Sequence, residues 1–265
     1  LLTHQMKGYI FKEGHLKTCS VKYDINSKDS FSHITNYSFQ KNNNNFEKYE
    51  LGNEVPFYEF QKYLDEKYPN KNYKIKIDLM KQLKKIISLT MQSAKDKIKN
   101  NKNYQFEIFG YDFMIDEDFN VFLIEINTNP GLEESSPWIK IIVPRMLDDA
   151  LRITLDQIFE TKYDFNLNYK DEEAIKNYKI VMHKIKNKEN PNSINNLNEK
   201  EFIKNNEKEN KNELNDDNKI KNDKKKKYIS PFPVPGYELD DNLWELVCDL
   251  NENESKERKS ESETF

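Results

Sequence analysis

The residues best suited to chemistry lie between positions 106 and 127, in the stretch FEIFGYDFMIDEDFNVFLIEIN. Its apolar and polar residues alternate, which predicts two β-strands, at 105–116 and 121–127, joined by a short polar turn. Antiparallel pairing around that turn places Asp112 directly opposite Glu125. The sequence therefore predicts a β-hairpin in which two carboxylates face each other.

The predicted register divides the hairpin into two faces, because successive side chains of a strand point to opposite sides. One face is apolar or aromatic and is expected to pack on the core: Phe109, Tyr111, Phe113, Ile115, Phe122, Ile124 and Ile126. The opposite face carries Asp112, Met114, Leu123, Glu125 and Asn127. Two carboxylates and one amide are therefore expected on the same side.

Carboxylates placed directly opposite each other repel, and a bound cation would relieve that repulsion. Oxygen ligands without histidine or thiolate suit a hard cation, in particular Mg²⁺ that keeps waters and substrate phosphates in its shell. We interpret Asp112, Glu125 and Asn127 as a Mg²⁺ site, and Ca²⁺ stays open on ligand type alone. The competing interpretation is a solvated strand face without a ligand.

The elements that must position this hairpin are helices and further strands. Short strands are predicted within 1–25, around a turn at 12–15. Apolar residues recur at helical spacing in three later stretches, the last of which contains Pro144 as a break or as the start of a second helix: 54–68, 74–99 and 137–160. This mixture predicts an α+β or α/β domain over residues 1–165.

Composition limits what the rest of the chain can be. With 36% hydrophobic and 33% charged residues over 265 positions, the chain can bury one domain-sized core but cannot be globular throughout. No apolar run is long enough for a membrane span, no secretory signal precedes the first strand, and two distant cysteines exclude a disulfide framework. A cytoplasmic protein that does not bind membranes is expected, and Leu1 in place of methionine suggests a piece of a longer chain.

The C-terminal third divides into three predicted segments. Residues 166–227 are rich in Asn, Lys and Glu and predict a disordered linker, whose basic run 224–227 is interpreted as solvated rather than as a nucleic-acid site. Residues 228–250 combine a Pro and aromatic segment with a predicted short helix at 240–250, which would dock on the domain or on a partner. Residues 251–265 predict a disordered acidic tail.

Three motifs in order resemble one known family. The stretches Phe106 to Asp116 and Leu123 to Pro130 resemble the C-terminal signature of the tubulin tyrosine ligase-like family, which are ATP-grasp enzymes. His33-Ile34-Thr35-Asn36 resembles the family's His-Leu-Thr-Asn motif, and Lys12 to Thr18 resembles its Arg-Glu-Gly-x-Leu-Arg-Thr strand. The resemblance implies that residues 1–165 are the C-terminal part of an ATP-grasp domain, with an antiparallel hairpin packed by helices.

The resemblance also implies roles for individual residues. Asp112, Glu125 and Asn127 match positions that hold Mg²⁺ and the ATP phosphates, and two further positions contact the nucleotide: Thr35 and Asn36. Lys17 falls where the family usually has an arginine that engages the carboxylate side of the substrate. Lysine keeps the charge but loses the bidentate fork. His33 is conceivable as a general base but is more simply structural.

The activity implied by the resemblance is ATP-dependent ligation of a free amino acid to a protein through an acyl phosphate, with tubulin or microtubules as the partner and a cytoskeletal, ciliary or flagellar location. The family's upstream nucleotide-binding lysines are not found in this sequence, so the chain by itself is expected to be inactive. Two alternatives stay open. One is a non-catalytic relative that binds tubulin or another partner. The other is a protein that binds nucleic acid or acidic tails through its basic tract.

Overall fold

The computed structural model describes residues 1–99, 103–133, 136–156, 158–159 and 230–251. The predicted linker at 166–227 and nearly all of the predicted acidic tail lie outside these described residues. The chain divides into two compact units, one formed by Leu1–Asp164 with Asn242–Phe265 and the other by Phe165–Asp241. No described helix is both long enough and apolar enough to cross a membrane.

Helices and antiparallel strands alternate along the first unit. The strands are β1 (Leu2–Thr3), β2 (Lys7–Phe11), β3 (His15–Lys17), β4 (Glu54–Pro56), β5 (Phe106–Glu107), β6 (Gly110–Ile115), β7 (Val121–Asn127) and β8 (Trp244–Asp249). The α-helices are α1 (Tyr37–Gln40), α2 (Phe57–Lys67), α3 (Met80–Ala94) and α4 (Ile139–Thr154). The described residues therefore form an α+β fold, as predicted.

The strands form three antiparallel sheets in the described part of the chain. The largest has the order β5-β1-β2-β8, while β3 pairs with β4 and β6 pairs with β7. The predicted strands within 1–25 are confirmed as β1, β2 and β3. The turn that separates β2 from β3 carries Gly14, whose hydrogen faces the Phe57 ring so closely that a Cβ would clash.

Helix α3 supplies the main apolar surface of the core. A single π-helical turn at Ile75–Leu79 leads into it, so the predicted helix at 74–99 is present with a distorted first turn. The stripe predicted from the sequence is buried, with Ile75, Leu79, Leu83 and Ile87 each less than 8% exposed. Side chains of the hairpin, including Phe113 and Ile115, pack against this cluster.

Pro144 neither breaks the last helix nor starts a new one, contrary to the prediction. It lies inside the continuous helix α4. A proline inside a helix costs one backbone hydrogen bond and about 3 kcal/mol. Buried residues on both sides of it, among them Ile142, Val143 and Arg145, keep the helix continuous because they would all lose their packing if it broke.

The prediction of a helix at 240–250 is wrong, because these residues contain strand β8. It lies beside β2 in antiparallel pairing from Phe11↔Trp244 to Lys7↔Asp249. The apolar residues that suggested a helix differ in burial along the strand: Trp244 is 8% exposed, whereas Leu246 is 51% exposed. An unpaired edge of β2 supplies backbone partners that an isolated helix would not use.

The described part of the second unit, residues 230–241, consists of turns. The Ser230 amide donates to the Leu239 carbonyl over 2.8 Å, which closes the segment into a loop. Gly236 has φ of 80°, a left-handed conformation that glycine adopts at low cost.

Candidate active site

The hairpin places its two carboxylates as the sequence predicts. Strands β6 and β7 pair in the register Gly110↔Asn127, Tyr111↔Ile126 and Asp112↔Glu125. The polar turn between them is closed by Asp116, which accepts hydrogen bonds from the Asn120 amide and side chain at 2.7 and 2.9 Å. These bonds lower the pKa of the Asp116 carboxyl.

The predicted division of the hairpin into faces is wrong towards the turn. The register shifts between Asp112 and Phe113, so that Phe113 pairs with Leu123 and Ile124 becomes the extra residue of a β-bulge. Beyond the bulge every side chain of β7 changes face. Phe122 and Ile124 are therefore 55% and 60% exposed instead of packed on the core, and Ile126, on the other side of the bulge, is also 38% exposed, contrary to the prediction.

The acidic end of the hairpin is held by two nitrogen donors. The Lys17 ammonium lies 3.2 Å from Oδ1 of Asp112. The Asn127 amide nitrogen lies 3.3 Å from Oδ2 of Asp112 and 3.3 Å from Oε1 of Glu125, so it bridges the two carboxylates. The structure thus brings together four of the residues selected from the sequence, and the added positive charge offsets the repulsion between the acids.

Lys17 reaches this position from the end of strand β3. Strand β4 pairs with it in the register His15↔Pro56, Leu16↔Val55 and Lys17↔Glu54. The turn before β4 is rigid, because the buried Asn53 side chain donates to the Thr18 carbonyl and the Ser20 hydroxyl. Glu54 therefore shares a face with Lys17.

Glu54 was missed by the sequence reasoning, which assigned it to the start of the helix at 54–68. The sequence signal for a strand is present: Gly52-Asn53 precedes it as a turn, and Pro56 ends it before α2. Gly52 has φ of 68°, and a Cβ there would meet the side chain of Ser136. Only glycine combines that conformation with that close approach.

The Glu54 carboxyl is buried in a polar cluster beneath Lys17. Its Oε2 accepts a hydrogen bond from the Ser136 hydroxyl, and its Oε1 lies 3.7 Å from Nε2 of His15. Burial raises the pKa of Glu54, against the opposing effects of Ser136 and Lys17. Burial lowers the pKa of His15 to about 4, and the positive charge of Lys17 acts in the same direction.

Two other residues, Thr35 and Asn36, were predicted from the resemblance to contact the nucleotide. Thr35 and Asn36 line the same cleft of about 800 Å³ as Lys17, Asp112 and Glu125. The Asn36 side chain also caps α1 by accepting from the Phe39 amide over 3.3 Å.

His33 has a structural contact. Its Nε2 lies 2.8 Å from the Ser27 carbonyl, and its ring packs edge-on against Tyr23. The side chain is exposed and is not among the residues that line the cleft. The structure thus gives His33 a role in the loop rather than in the site.

The donor set fits a magnesium ion that shares its shell with phosphates and water. No group of three or more histidine, cysteine, aspartate or glutamate residues forms a metal cage within the described ranges. Two carboxylates, Asp112 and Glu125, are nevertheless enough for Mg²⁺, which usually binds one or two protein carboxylates together with substrate oxygens. Rotation of the Asn127 amide by 180° would exchange its nitrogen for its oxygen and add a third ligand.

Comparison with known proteins identifies the family of the chain. The model of the family described as "Tubulin-tyrosine ligase family" matches residues 1–163, which include every strand and helix of the candidate site. The match ends before β8, so the strand at Trp244–Asp249 lies outside it.

Individual relatives have related names. "Tubulin glycylase 3F" of Tetrahymena thermophila is 32% identical over 167 residues, which are 61% of this chain and 17% of the relative. "Protein monoglycylase TTLL8" of Mus musculus is 26% identical over 160 residues, 59% of this chain and 19% of the relative. "Probable tubulin polyglutamylase TTLL9" of Rattus norvegicus is 26% identical over 149 residues, which are 56% of this chain and 31% of the relative. The chain thus spans less than a third of each of these relatives.

Proposed function

Because the chain belongs to the tubulin-tyrosine ligase family, we propose that it forms part of an ATP- and Mg²⁺-dependent ligase that joins an amino acid to a protein. Tubulin is the proposed acceptor, and association with the cytoskeleton follows from that choice. The observation that carries the proposal is the convergence of Asp112, Glu125 and Asn127 with Lys17 at one end of an open cleft.

The proposed reaction transfers the γ-phosphate of ATP to a carboxylate with release of ADP, and an amine then attacks the acyl phosphate to form an amide with release of phosphate. A bound Mg²⁺ would supply positive charge that offsets the negative charge of the phosphates. Asp112 and Glu125 would hold the ion, with Asn127 fixing the separation of the two carboxylates. Such a site acts by position and charge rather than by covalent chemistry.

Lys17 would bind an anionic group of the substrate in the cleft. Its side chain is 35% exposed, and its ammonium is already at the edge of the acidic site. An ammonium supplies charge without the two parallel hydrogen bonds of a guanidinium. We therefore expect Lys17 to attract the carboxylate of the amino acid while fixing its orientation less strictly.

Glycine is the amino acid that we propose for transfer, with glutamate as the competing choice. The support comes from the names of the relatives, since the family members from Tetrahymena thermophila and Mus musculus are called glycylases. The polyglutamylase from Rattus norvegicus supplies the alternative.

The test uses the natural polypeptide that contains residues 1–265, incubated with tubulin, ATP, Mg²⁺ and labelled glycine or glutamate. Asp112→Asn and Glu125→Gln are each expected to lower incorporation by about 10²- to 10³-fold, the usual effect of removing one charge-stabilising group. Asp118→Asn is the matched control, because this carboxylate lies on the same hairpin but at its exposed turn.

The outcomes separate the proposed ligase from its alternatives. Incorporation that depends on both carboxylates supports the ligase. If Asp112→Asn and Glu125→Gln keep the wild-type rate, the site assignment is wrong. Absence of incorporation with retained binding to tubulin would instead favour a non-catalytic relative.

A further inference from the structure

The carboxylate of Glu54 is buried next to two residues that line the cleft, His15 and Lys17, and no described contact joins it to the residues proposed to bind Mg²⁺. It is 5% exposed, whereas the Lys17 side chain on the opposite strand is 35% exposed. Because the two residues pair directly across β3 and β4, their Cβ atoms are about 5 Å apart on the same face. The shorter side chain of Glu54 points into the polar cluster while Lys17 extends to the surface.

A buried carboxylate must be paired with a positive charge or take up a proton. His15, although 3.7 Å away, does not supply that charge near neutral pH because burial keeps its ring neutral. Ser136 supplies a hydrogen bond but no charge. Lys17, which pairs with Glu54 across β3 and β4, supplies a positive charge that favours the ionised form of Glu54, against the larger effect of burial, which raises its pKa.

Two carboxylates therefore act on Lys17: Asp112 by direct contact and Glu54 from the paired strand. Among the described residues, Asp112 is the carboxylate within ion-pair distance of its ammonium. A cation bound at Asp112 would compete with Lys17 for the same oxygens and repel the ammonium. Glu54, on the paired strand, is then the carboxylate that remains next to Lys17.

We propose that Glu54 is a positioning residue that keeps the Lys17 ammonium in the cleft when Asp112 is occupied by a cation. This inference rests on the proposed function for its catalytic consequence, since Lys17 then faces an anionic substrate instead of Asp112. The hydrogen bond from Ser136 and the turn at Gly52-Asn53 fix the Glu54 carboxylate, so its charge stays next to Lys17.

The first test measures whether Lys17 is held, and it needs no activity. In the 265-residue chain, Asp112→Asn removes the charge of the carboxylate that contacts Lys17. Acylation of Lys17 by an amine-reactive ester is then followed by mass spectrometry. Lys17 in this variant should react within about twofold of the wild-type rate, whereas adding Glu54→Gln should raise the rate about fivefold, because the opposite charge on the same face of the strand pair is then removed. The exposed Lys85 serves as the internal reference.

Glu50→Gln is the matched control for Glu54→Gln. Its carboxylate is also close to β3, where it accepts from the Thr18 hydroxyl over 3.1 Å, but it does not pair with Lys17. If Glu54→Gln does not fold, Glu54→Asp keeps the charge and shortens the side chain, and an intermediate acylation rate supports the proposal. Equal Lys17 rates with and without a change at Glu54 overturn it.

The second test uses the ligase assay to separate positioning from general stability. Glu54→Gln should raise KM for the amino acid about fivefold and leave KM for ATP unchanged, because the proposed contact of Lys17 is with the carboxylate of the amino acid and not with ATP. Equal increases in both KM values would contradict a positioning role. If the wild-type protein incorporates no amino acid, the proposed function fails while the acylation test still decides whether Glu54 holds Lys17.

Discussion

Two aspartates of this chain, Asp112 and Asp149, each bind basic side chains but differ in every other respect. Asp149, in helix α4, is fully buried, and its oxygens accept hydrogen bonds from Arg145, Arg152 and the Leu243 amide, each at 2.9 Å. Asp112, in the hairpin, is 38% exposed in its side chain, and its contacts of 3.2 and 3.3 Å are longer.

The difference shows how one residue type serves structure or chemistry. Asp149 accepts from three donors and is fully buried, so it joins α4 to the start of β8 and is closed to a ligand from solvent. The neighbouring contact from the Trp244 indole to the Met146 carbonyl, at 3.0 Å, reinforces the same junction. Asp112 keeps free lone pairs facing a cleft, which is the condition for binding a cation.

The sharpest test of this comparison replaces each aspartate by alanine. Asp149→Ala is expected to lower the free energy of unfolding by about 3–5 kcal/mol, because it removes the buried carboxylate that pairs with the buried Arg145. Asp112→Ala is expected to change it by less than about 1 kcal/mol. Urea denaturation of both variants checks the prediction, and similar losses in the two would contradict the assigned roles.

The bulge in the hairpin can be tested by a second pair of substitutions. Phe113→Ala should cost about 2 kcal/mol of stability, because this ring packs against the core cluster. Phe122→Ala should cost less than about 0.5 kcal/mol, because its ring lies on the solvent side. Thermal unfolding of the two variants measures the difference. A larger loss of stability for Phe122→Ala than for Phe113→Ala would contradict the bulge.

The buried cluster beside Lys17 predicts a pH effect of smaller size. His15 has a pKa near 4 in the folded chain against 6.5 for the unfolded residue, so the unfolded state binds more protons between these values. Its contribution to stability is present above pH 6.5 and is lost as the pH falls through 4. Because the side chain is 22% exposed, the loss should be on the order of 1 kcal/mol.

Denaturation curves of wild type and His15→Asn across this pH range check the prediction. The variant should lose less stability on acidification than wild type. Glu54 acts in the opposite direction: its raised pKa adds stability below its unfolded value, and this is lost as the pH rises through the folded value. Glu54→Gln should therefore make the acid loss steeper, and a curve parallel to wild type for both variants would contradict the coupling.

Much of the candidate site could be predicted from local sequence pattern. Alternation along two strands and a polar turn are sufficient to place Asp112 opposite Glu125, and this register is confirmed. The apolar stripe of α3 was equally predictable, because helical spacing reports a buried face directly. Such features depend on residues close together in the chain.

The errors concern features in which distant segments decide. The apolar residues of 240–250 fit a helix by spacing, yet the open edge of β2 and the buried Asp149 select a strand. Pro144 predicts a break by itself, but the packing on both sides of it keeps α4 continuous. Glu54 was assigned to a helix because its ladder with β3 joins residues far apart in sequence.

The amino-acid sequence by itself determined the hairpin, the acidic pair and the family, since each is written in short stretches whose periodicity or motif needs no partner. Only the tertiary structure decided which carboxylates are buried and which are exposed, which side chains of β7 face solvent, and that Glu54 pairs with Lys17 across two strands. The physical reason is that burial and charge pairing are properties of neighbours in space, and a buried charge is stable only where distant segments bring its partner.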